Sequence, residues 1–233
     1  MSEVRIARFV DMNACRSIFS DYSTFVLRSS EYYRRQYETD RGDKHELQVR
    51  CTDRGSAEMS CFALSCWTKL EGDEPTRDEW GIFRNSVVAI VSTPSKVCTF
   101  LEEAFEIRND SVQNTRRYPF TSVEHKAVTY ADEVPEQITP NNIMEMTVFT
   151  KRMKLEKQKE YRFALPFSMV PHYIDTYIFA KKPDYMETCF ANPDIRREDK
   201  DVLRLILLDA MAGYGHFSDK ELREMIANAN VLF

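Results

Sequence analysis

The chain has 233 residues, a length that fits one large domain because single hydrophobic cores stop growing near ~250–300 residues. Hydrophobic residues make up 43% of the chain and charged residues 30%, which excludes a chain that is disordered throughout. The formal net charge of −5 gives the whole protein no attraction for polyanions, so any nucleic-acid site has to be local. We predict a single α+β domain over residues 1–233, with its core in 4–180 and a helical segment at 198–229.

The sequence lacks the usual signals for membrane targeting, metal binding and nucleotide binding. No apolar run approaches the ~20 residues that span a bilayer, and residues 1–10 carry two arginines and a glutamate where a signal peptide is apolar. These features predict a cytoplasmic protein with no membrane partner. The six cysteines lack CxxC spacing and no HExxH or glycine-rich phosphate loop occurs, so no metal is predicted. Buried, reduced thiols are expected.

Strand signals dominate the first third of the chain. Residues 4–10 alternate with a period of two, which predicts a strand, and Asp11 is placed to cap the helix that follows. A β-branched run at 24–27 predicts a second strand, and a short helix is predicted at 46–49 inside a charged surface segment. Residues 59–67 are almost uninterruptedly apolar, which favours a central strand covered on both faces.

The rest of the chain predicts further strands and two late helices. Residues 70–79 are expected to form an acidic turn, and Ser95 to cap a helix whose apolar positions recur at three and four residues. The other predicted elements are strands at 87–91, 123–133, 160–167 and 173–180, and helices at 198–211 and 218–229. This order favours a central, twisted, mostly antiparallel sheet with flanking helices. The apolar stripes of the last two helices are expected to face the core or a second copy in a homo-oligomer.

The run KLEKQKEYRFAL contains the most suggestive polar residues. In a strand, Gln158 and Glu160 would share one face. A fixed carboxylate in a cleft stabilises positive charge that develops on a sugar ring, and Gln158 would orient the acceptor. Gln158 and Glu160 are therefore the candidate catalytic residues, and Glu160→Gln is expected to abolish transfer at a nearly unchanged melting temperature. The alternative is a solvated edge strand with Glu160 paired to Arg152 or Lys154.

Candidate cofactor-binding residues lie near the amino end. The strand at 24–27 leads to Ser29, and Tyr32 and Tyr33 follow, a combination that suits a flat heteroaromatic ring. The alternative is that the two tyrosines merely cover the core. On the first strand, Arg8 is the candidate for binding a phosphate in bidentate fashion.

The chain resembles ADP-ribosyltransferases in the order of three features, an Arg, a Ser and a late Glu. They are Arg8, Ser29 and the Gln-x-Glu of Gln158 and Glu160. The resemblance implies an ADP-ribosyltransferase-like fold and a glycosyltransferase that uses NAD to modify a protein or nucleic acid. It implies a nicotinamide near Tyr33, phosphates near Arg8 and a scissile glycosidic bond facing Glu160. The chain lacks the Ser-Thr-Ser triplet of those enzymes and carries Gln158 in place of a glutamate, which leaves the acceptor open.

A second resemblance covers most of residues 5–180. The chain resembles, in the order and spacing of its motifs, a bacterial domain of unknown function found near phage-defence and mobile elements. The motifs are Cys61-Phe62, Trp80, the VTY of 128–130 and Glu160-Tyr161-Arg162. This resemblance implies a role in antiviral defence or as the toxin of a conflict system. The residues Cys61, Cys66, Trp67 and Trp80 are themselves expected to be core residues.

A non-enzymatic function is the main alternative. Residues 151–162 hold six basic and two acidic side chains, which favours a module that binds the phosphates of RNA or DNA, or that binds a protein. An interaction protein that docks a partner through its Phe and Tyr surface is a third interpretation. Salt dependence distinguishes a nucleic-acid-binding module from an NAD-dependent enzyme. Nucleic-acid affinity falls steeply with ionic strength, whereas NAD turnover does not.

Overall fold

The computed structural model describes residues 3–19, 23–29, 48–51, 55–58, 62–111, 123–132, 148–166, 176–180 and 184–213. These residues form a mixed α+β structure with mostly antiparallel strand pairing, which confirms the predicted class. The strands are β1 Ile6–Val10, β2 Ser23–Ser29, β3 Gln48–Cys51, β4 Gly55–Glu58, β5 Phe62–Lys69, β6 Val88–Ser92, β7 Glu124–Ala127, β8 Thr129–Ala131, β9 Thr150–Arg152, β10 Glu160–Pro166, β11 Thr176–Ala180 and β12 Thr188–Ala191. The helices are α1 Met12–Ile18, α2 Arg77–Ile82, α3 Pro94–Ser111 and α4 Arg197–Gly213, and a 3₁₀ helix covers Met153–Gln158.

Two compact units divide the chain. The first contains Met1–Phe25, Trp67–Ala104 and Tyr177–Phe233, and the second contains Val26–Cys66 and Phe105–Thr176. Each unit combines segments that are far apart in sequence. The prediction of one domain over 1–233 stays a prediction.

In the first unit, strands pair in the order β5-β1-β6-β12. β1 pairs antiparallel with β6 from Ile6↔Ser92 to Val10↔Val88, and its first residues also pair with the end of β5. Every residue of β6 is buried, in keeping with its uninterrupted apolar run. After β1, the Asp11 carboxylate accepts a hydrogen bond from the Ala14 amide at 2.8 Å, so the predicted N-cap of α1 is confirmed.

Aromatic side chains fill the core of the first unit. Tyr185 is fully buried, and its ring lies edge-on to Phe25 and Trp67, with centroids 5.0 and 6.2 Å away. Phe9 packs edge-on against Trp80 at 5.0 Å. The prediction that Trp67 and Trp80 are core residues is therefore confirmed.

In the second unit, strands pair in the order β2-β5-β10-β7. β10 pairs antiparallel with β7 from Tyr161↔Ala127 to Ala164↔Glu124, and β2 pairs with β5 through Arg28↔Leu64. β8 and β9 form a parallel pair. The core of this unit includes a cluster of Leu64, Val148, Phe149 and Ala164, which brings the chain on either side of the 3₁₀ helix onto the sheet.

Three sequence predictions differ from the structure. The prediction of a helix at 46–49 is wrong for its two described residues, Gln48 and Val49. Both belong to a pair of antiparallel strands in which Val49 pairs with Ala57. A helix of one turn gains too few hydrogen bonds to compete with a strand that has a partner. Residues 70–79 are not simply a turn, since α2 begins at Arg77, and α3 begins at Pro94, one residue before the predicted cap.

The helix predicted at 198–211 is confirmed as α4, Arg197–Gly213. The predicted helix at 218–229 lies outside the described residues. Among the helices of the described ranges, none is long and apolar enough to cross a membrane.

Candidate functional site

Glu160, the first residue of β10, lies buried between two basic side chains, with 6% of its surface exposed. Its Oε2 accepts a hydrogen bond from Lys151 Nζ at 2.7 Å, and its Oε1 accepts one from Arg162 Nε at 2.8 Å. Lys151 and Arg162 are themselves buried, at 5% and 0% exposure. We call Lys151, Glu160 and Arg162 the buried triad.

Further hydrogen bonds satisfy the polar groups around the buried triad. Lys151 Nζ also donates to Gln158 Oε1 at 3.2 Å, and Arg162 Nη1 donates to the Val148 carbonyl. The Glu160 amide donates to the Tyr130 hydroxyl at 2.8 Å. Charges this deeply buried persist only when such partners replace the lost water. The arrangement is that of a buried ionic network.

The charges of the buried triad fix its protonation. Burial by itself raises the pKa of Glu160, but the positive charges of Arg162 and Lys151 outweigh burial and hold that pKa well below its ordinary value of 4.5. Burial raises the pKa of Tyr130 to about 12. Burial also raises the pKa of Cys66, and the nearby Glu160 charge adds to the effect. Near neutral pH the network therefore holds an ionised Glu160, a protonated phenol and a neutral thiol.

Gln158 and Glu160 lie close together, but not because they alternate along one strand, as was predicted. Gln158 ends the 3₁₀ helix, and Lys159 turns the chain in the left-handed region at φ 44° and ψ 44° before β10 begins. The two predicted residues meet because both accept from Lys151 Nζ. The strand alternation is therefore wrong for Gln158, and the proposed surface pairing of Glu160 with Arg152 or Lys154 is wrong too.

The residues between Lys151 and Glu160 present basic side chains to solvent. Lys154 and Lys157 are exposed on the 3₁₀ helix, while Leu155 is buried at 5% exposure and anchors it. Arg152 and Lys159 flank the helix and are half-buried. We call residues 152–159 the basic segment. Of the six basic residues counted in 151–162, two are buried with Glu160 and four remain near the surface.

The predicted cofactor-binding residues are only partly described. Arg8 is half-buried in β1, with its guanidinium carbon 4.9 Å from the centroid of the Phe25 ring. Ser29 is the last residue of β2, and its side chain lies outside what the structure describes, as do Tyr32 and Tyr33. Their assignment to nicotinamide and phosphate binding stays a prediction.

No protein-family model, curated protein or solved structure matches this chain. Across the described ranges, no group of three or more His, Cys, Asp or Glu side chains is arranged to hold a metal ion.

Proposed function

We propose that this protein binds the phosphate backbone of nucleic acid through the basic segment. The observation that carries the proposal is the pair of exposed lysines, Lys154 and Lys157, on a 3₁₀ helix whose two ends are joined in the interior. Lys151 precedes that helix, and its ammonium donates to Gln158, the last residue of the helix, and to Glu160, which follows the helix. The basic side chains are thus displayed from a fixed loop.

A fixed loop favours binding because less conformational freedom is lost when a partner associates. The ends of the basic segment are held by hydrogen bonds that span seven and nine residues. Its turn is closed by the Lys159 amide, which donates to the Glu156 carbonyl at 2.9 Å. A free loop of this length would have to be ordered on binding at a cost of roughly 1–2 kcal/mol per residue.

The local charge supports a polyanionic partner. The basic segment carries Arg152, Lys154, Lys157 and Lys159 against one acidic residue, Glu156, whereas the whole chain has a net charge of −5. Lysine is a flexible point charge suited to phosphates, and contacts to phosphates carry no information about base sequence. The expected binding is therefore confined to this surface and is independent of base sequence.

A salt titration tests this function. The fluorescence anisotropy of a labelled single-stranded 12-nucleotide DNA is followed as the wild-type chain is added between 20 and 200 mM KCl. Three or four phosphate contacts predict a slope of log K against log salt of about −2 to −3, since each contact contributes about −0.7. Absence of binding at 20 mM, or an affinity that does not change with salt, would contradict the proposal.

Transfer of ADP-ribose from NAD is the second candidate function, and with it an ADP-ribosyltransferase-like fold in a bacterial or phage conflict system. Its support is that Glu160 is held ionised, as stabilisation of an oxocarbenium-like transition state requires. Because both oxygens of Glu160 are paired, a sugar hydroxyl would have to displace Lys151 or Arg162.

Release of nicotinamide from NAD measures this activity directly. The wild-type chain is expected to release it with a protein or nucleic-acid acceptor present, and Glu160→Gln is expected to abolish release at a temperature at which the variant is shown to be folded. Equal release by the wild-type and variant chains would exclude Glu160 as the catalytic carboxylate.

A further inference from the structure

A polar cleft of about 490 Å³ lies in the first unit, away from any residue discussed so far as a site. Three chain segments enclose it: the start of α1, the loop that precedes β6 and the loop that precedes α4. Its volume is within the range of about 300–1,000 Å³ that small-molecule sites occupy.

The floor of the cleft is fixed by a buried asparagine. Asn192 Nδ2 donates to the Ser86 carbonyl at 2.9 Å, and its Oδ1 accepts from the Asp194 amide at 2.9 Å. Asn192 and Ser86 are 7% and 6% exposed. The asparagine thereby ties the loop before β6 to the loop before α4. The cleft is consequently formed before any ligand arrives.

Two exposed arginines, one from the loop before β6 and one from the loop before α4, line this cleft. Arg84 Nε donates to the Gly81 carbonyl at 3.3 Å, and Arg196 Nε donates to Asp199 Oδ2 at 2.8 Å. Within the described ranges, the Nη groups of both arginines make no hydrogen bond. A guanidinium held through Nε keeps both Nη donors for an anion such as a phosphate.

The acidic lining argues against a bare anion as the ligand. Asp11 caps α1 and Asp199 pairs with Arg196, but the Asp194 carboxylate accepts no hydrogen bond from the residues that the structure describes. Asp194 would repel a lone phosphate and accept hydrogen bonds from hydroxyl groups. The Ser86 hydroxyl, which has no partner in the same described ranges, offers both a donor and an acceptor.

We propose that this cleft binds a phosphorylated sugar, with the phosphate at Arg84 and Arg196 and the hydroxyl groups at Asp194 and Ser86. Val87 and Ile195 supply apolar lining that suits the C–H faces of a sugar ring. The proposal is independent of nucleic-acid binding by the basic segment, because none of its residues belongs to that segment.

Isothermal titration calorimetry on the full chain tests the cleft with three probes: ribose 5-phosphate, ribose and inorganic phosphate. Ribose 5-phosphate is expected to bind at least tenfold more tightly than either of its parts. Arg84→Gln and Arg196→Gln are expected to weaken its binding at least tenfold. Arg16→Gln, which removes an exposed arginine of α1 outside the cleft, is the matched control and should leave binding unchanged.

Thermal unfolding of each variant shows whether it is folded during the titration. Three outcomes would overturn the proposal: no binding of ribose 5-phosphate, equal weakening by all three arginine substitutions, or inorganic phosphate that binds as tightly as ribose 5-phosphate. The last outcome would leave a plain anion site and remove the sugar from the assignment.

Discussion

At the scale of single residues, the buried triad has two opposite energetic consequences. One ammonium, one guanidinium and one carboxylate are costly to take out of water, so the intact network adds little net stability. Removing Glu160 leaves Lys151 and Arg162 buried without a counter-charge, which is strongly destabilising. Arg162 as a partner of Glu160 was predictable, because residues two apart on a strand share a face. Lys151 carries no such signal, since its position depends on the fold around the 3₁₀ helix.

Glu160→Gln is predicted to lower the free energy of unfolding by about 3–5 kcal/mol, because Lys151 and Arg162 then remain buried without a counter-charge. This replaces the expectation from sequence that the melting temperature would hardly change. Urea unfolding followed by circular dichroism measures the effect. Glu156→Gln, an exposed change of the same type, is the control and is expected to stay within about 0.5 kcal/mol of wild type. Equal unfolding midpoints for the two variants would contradict the account.

The pH dependence of stability follows from the lowered pKa of Glu160. Since the pKa of Glu160 is below 4.5 in the folded state, its contribution to stability is complete above about pH 4.5 and is lost progressively as the pH falls further. The free-energy difference between wild type and Glu160→Gln should therefore shrink from pH 7 to pH 3. Urea unfolding at pH 7, 4 and 3 measures it, and the other carboxylates cancel in the difference. A difference that stays constant or grows on acidification would exclude an ionised Glu160 in the folded state.

At the scale of elements, the sequence predicted best where apolar residues follow a clear period. β1, β2, β5, β6 and β10 lie where alternation or continuous apolar runs predict them. β12 was missed because its four residues pair only as an addition to β6, a tertiary contact that the local pattern does not contain. In α4 the helix was predicted correctly, and Leu203 is buried while Leu205 is 61% exposed.

Helix α2 was missed although its start signal is present in the sequence. Thr76 and Glu79 form a capping box in which the Glu79 amide donates to Thr76 Oγ1 at 3.3 Å and the Thr76 amide donates to Glu79 Oε2 at 2.7 Å. The surrounding acidic residues made the segment resemble a turn. A threonine three residues before a glutamate, followed by Trp80, was the signal that identifies this helix.

Thr76→Ala is predicted to cost about 1–2 kcal/mol, because it removes the cap and one partner of the buried Glu79 carboxylate. Thermal unfolding measures the loss. Arg77→Ala, at the next position and exposed, keeps the capping box and is expected to change stability by less than about 0.5 kcal/mol. If both alanine variants melt at the wild-type temperature, the capping box does not stabilise α2.

At the scale of the whole molecule, the composition predicted the mixed class but could not predict which charges remain accessible. The six basic residues of 151–162 appeared equivalent in sequence, and the fold buries Lys151 and Arg162 while exposing Lys154 and Lys157. The same fold turns Glu160 from a predicted cleft residue into a buried partner of two cations. The net charge of −5 remains unfavourable for a polyanion everywhere else, which confines the proposed binding to the basic segment.

The most direct test of the account compares two double variants of equal charge. Lys154→Gln/Lys157→Gln removes the exposed lysines of the basic segment, and Lys69→Gln/Lys200→Gln removes two exposed lysines elsewhere. For a labelled single-stranded DNA, the first pair is predicted to weaken binding at least tenfold at 50 mM KCl and to make the salt slope shallower by about 1.4, whereas the second pair leaves both near wild type. Equal losses in the two double variants, or none in either, would contradict binding through the basic segment.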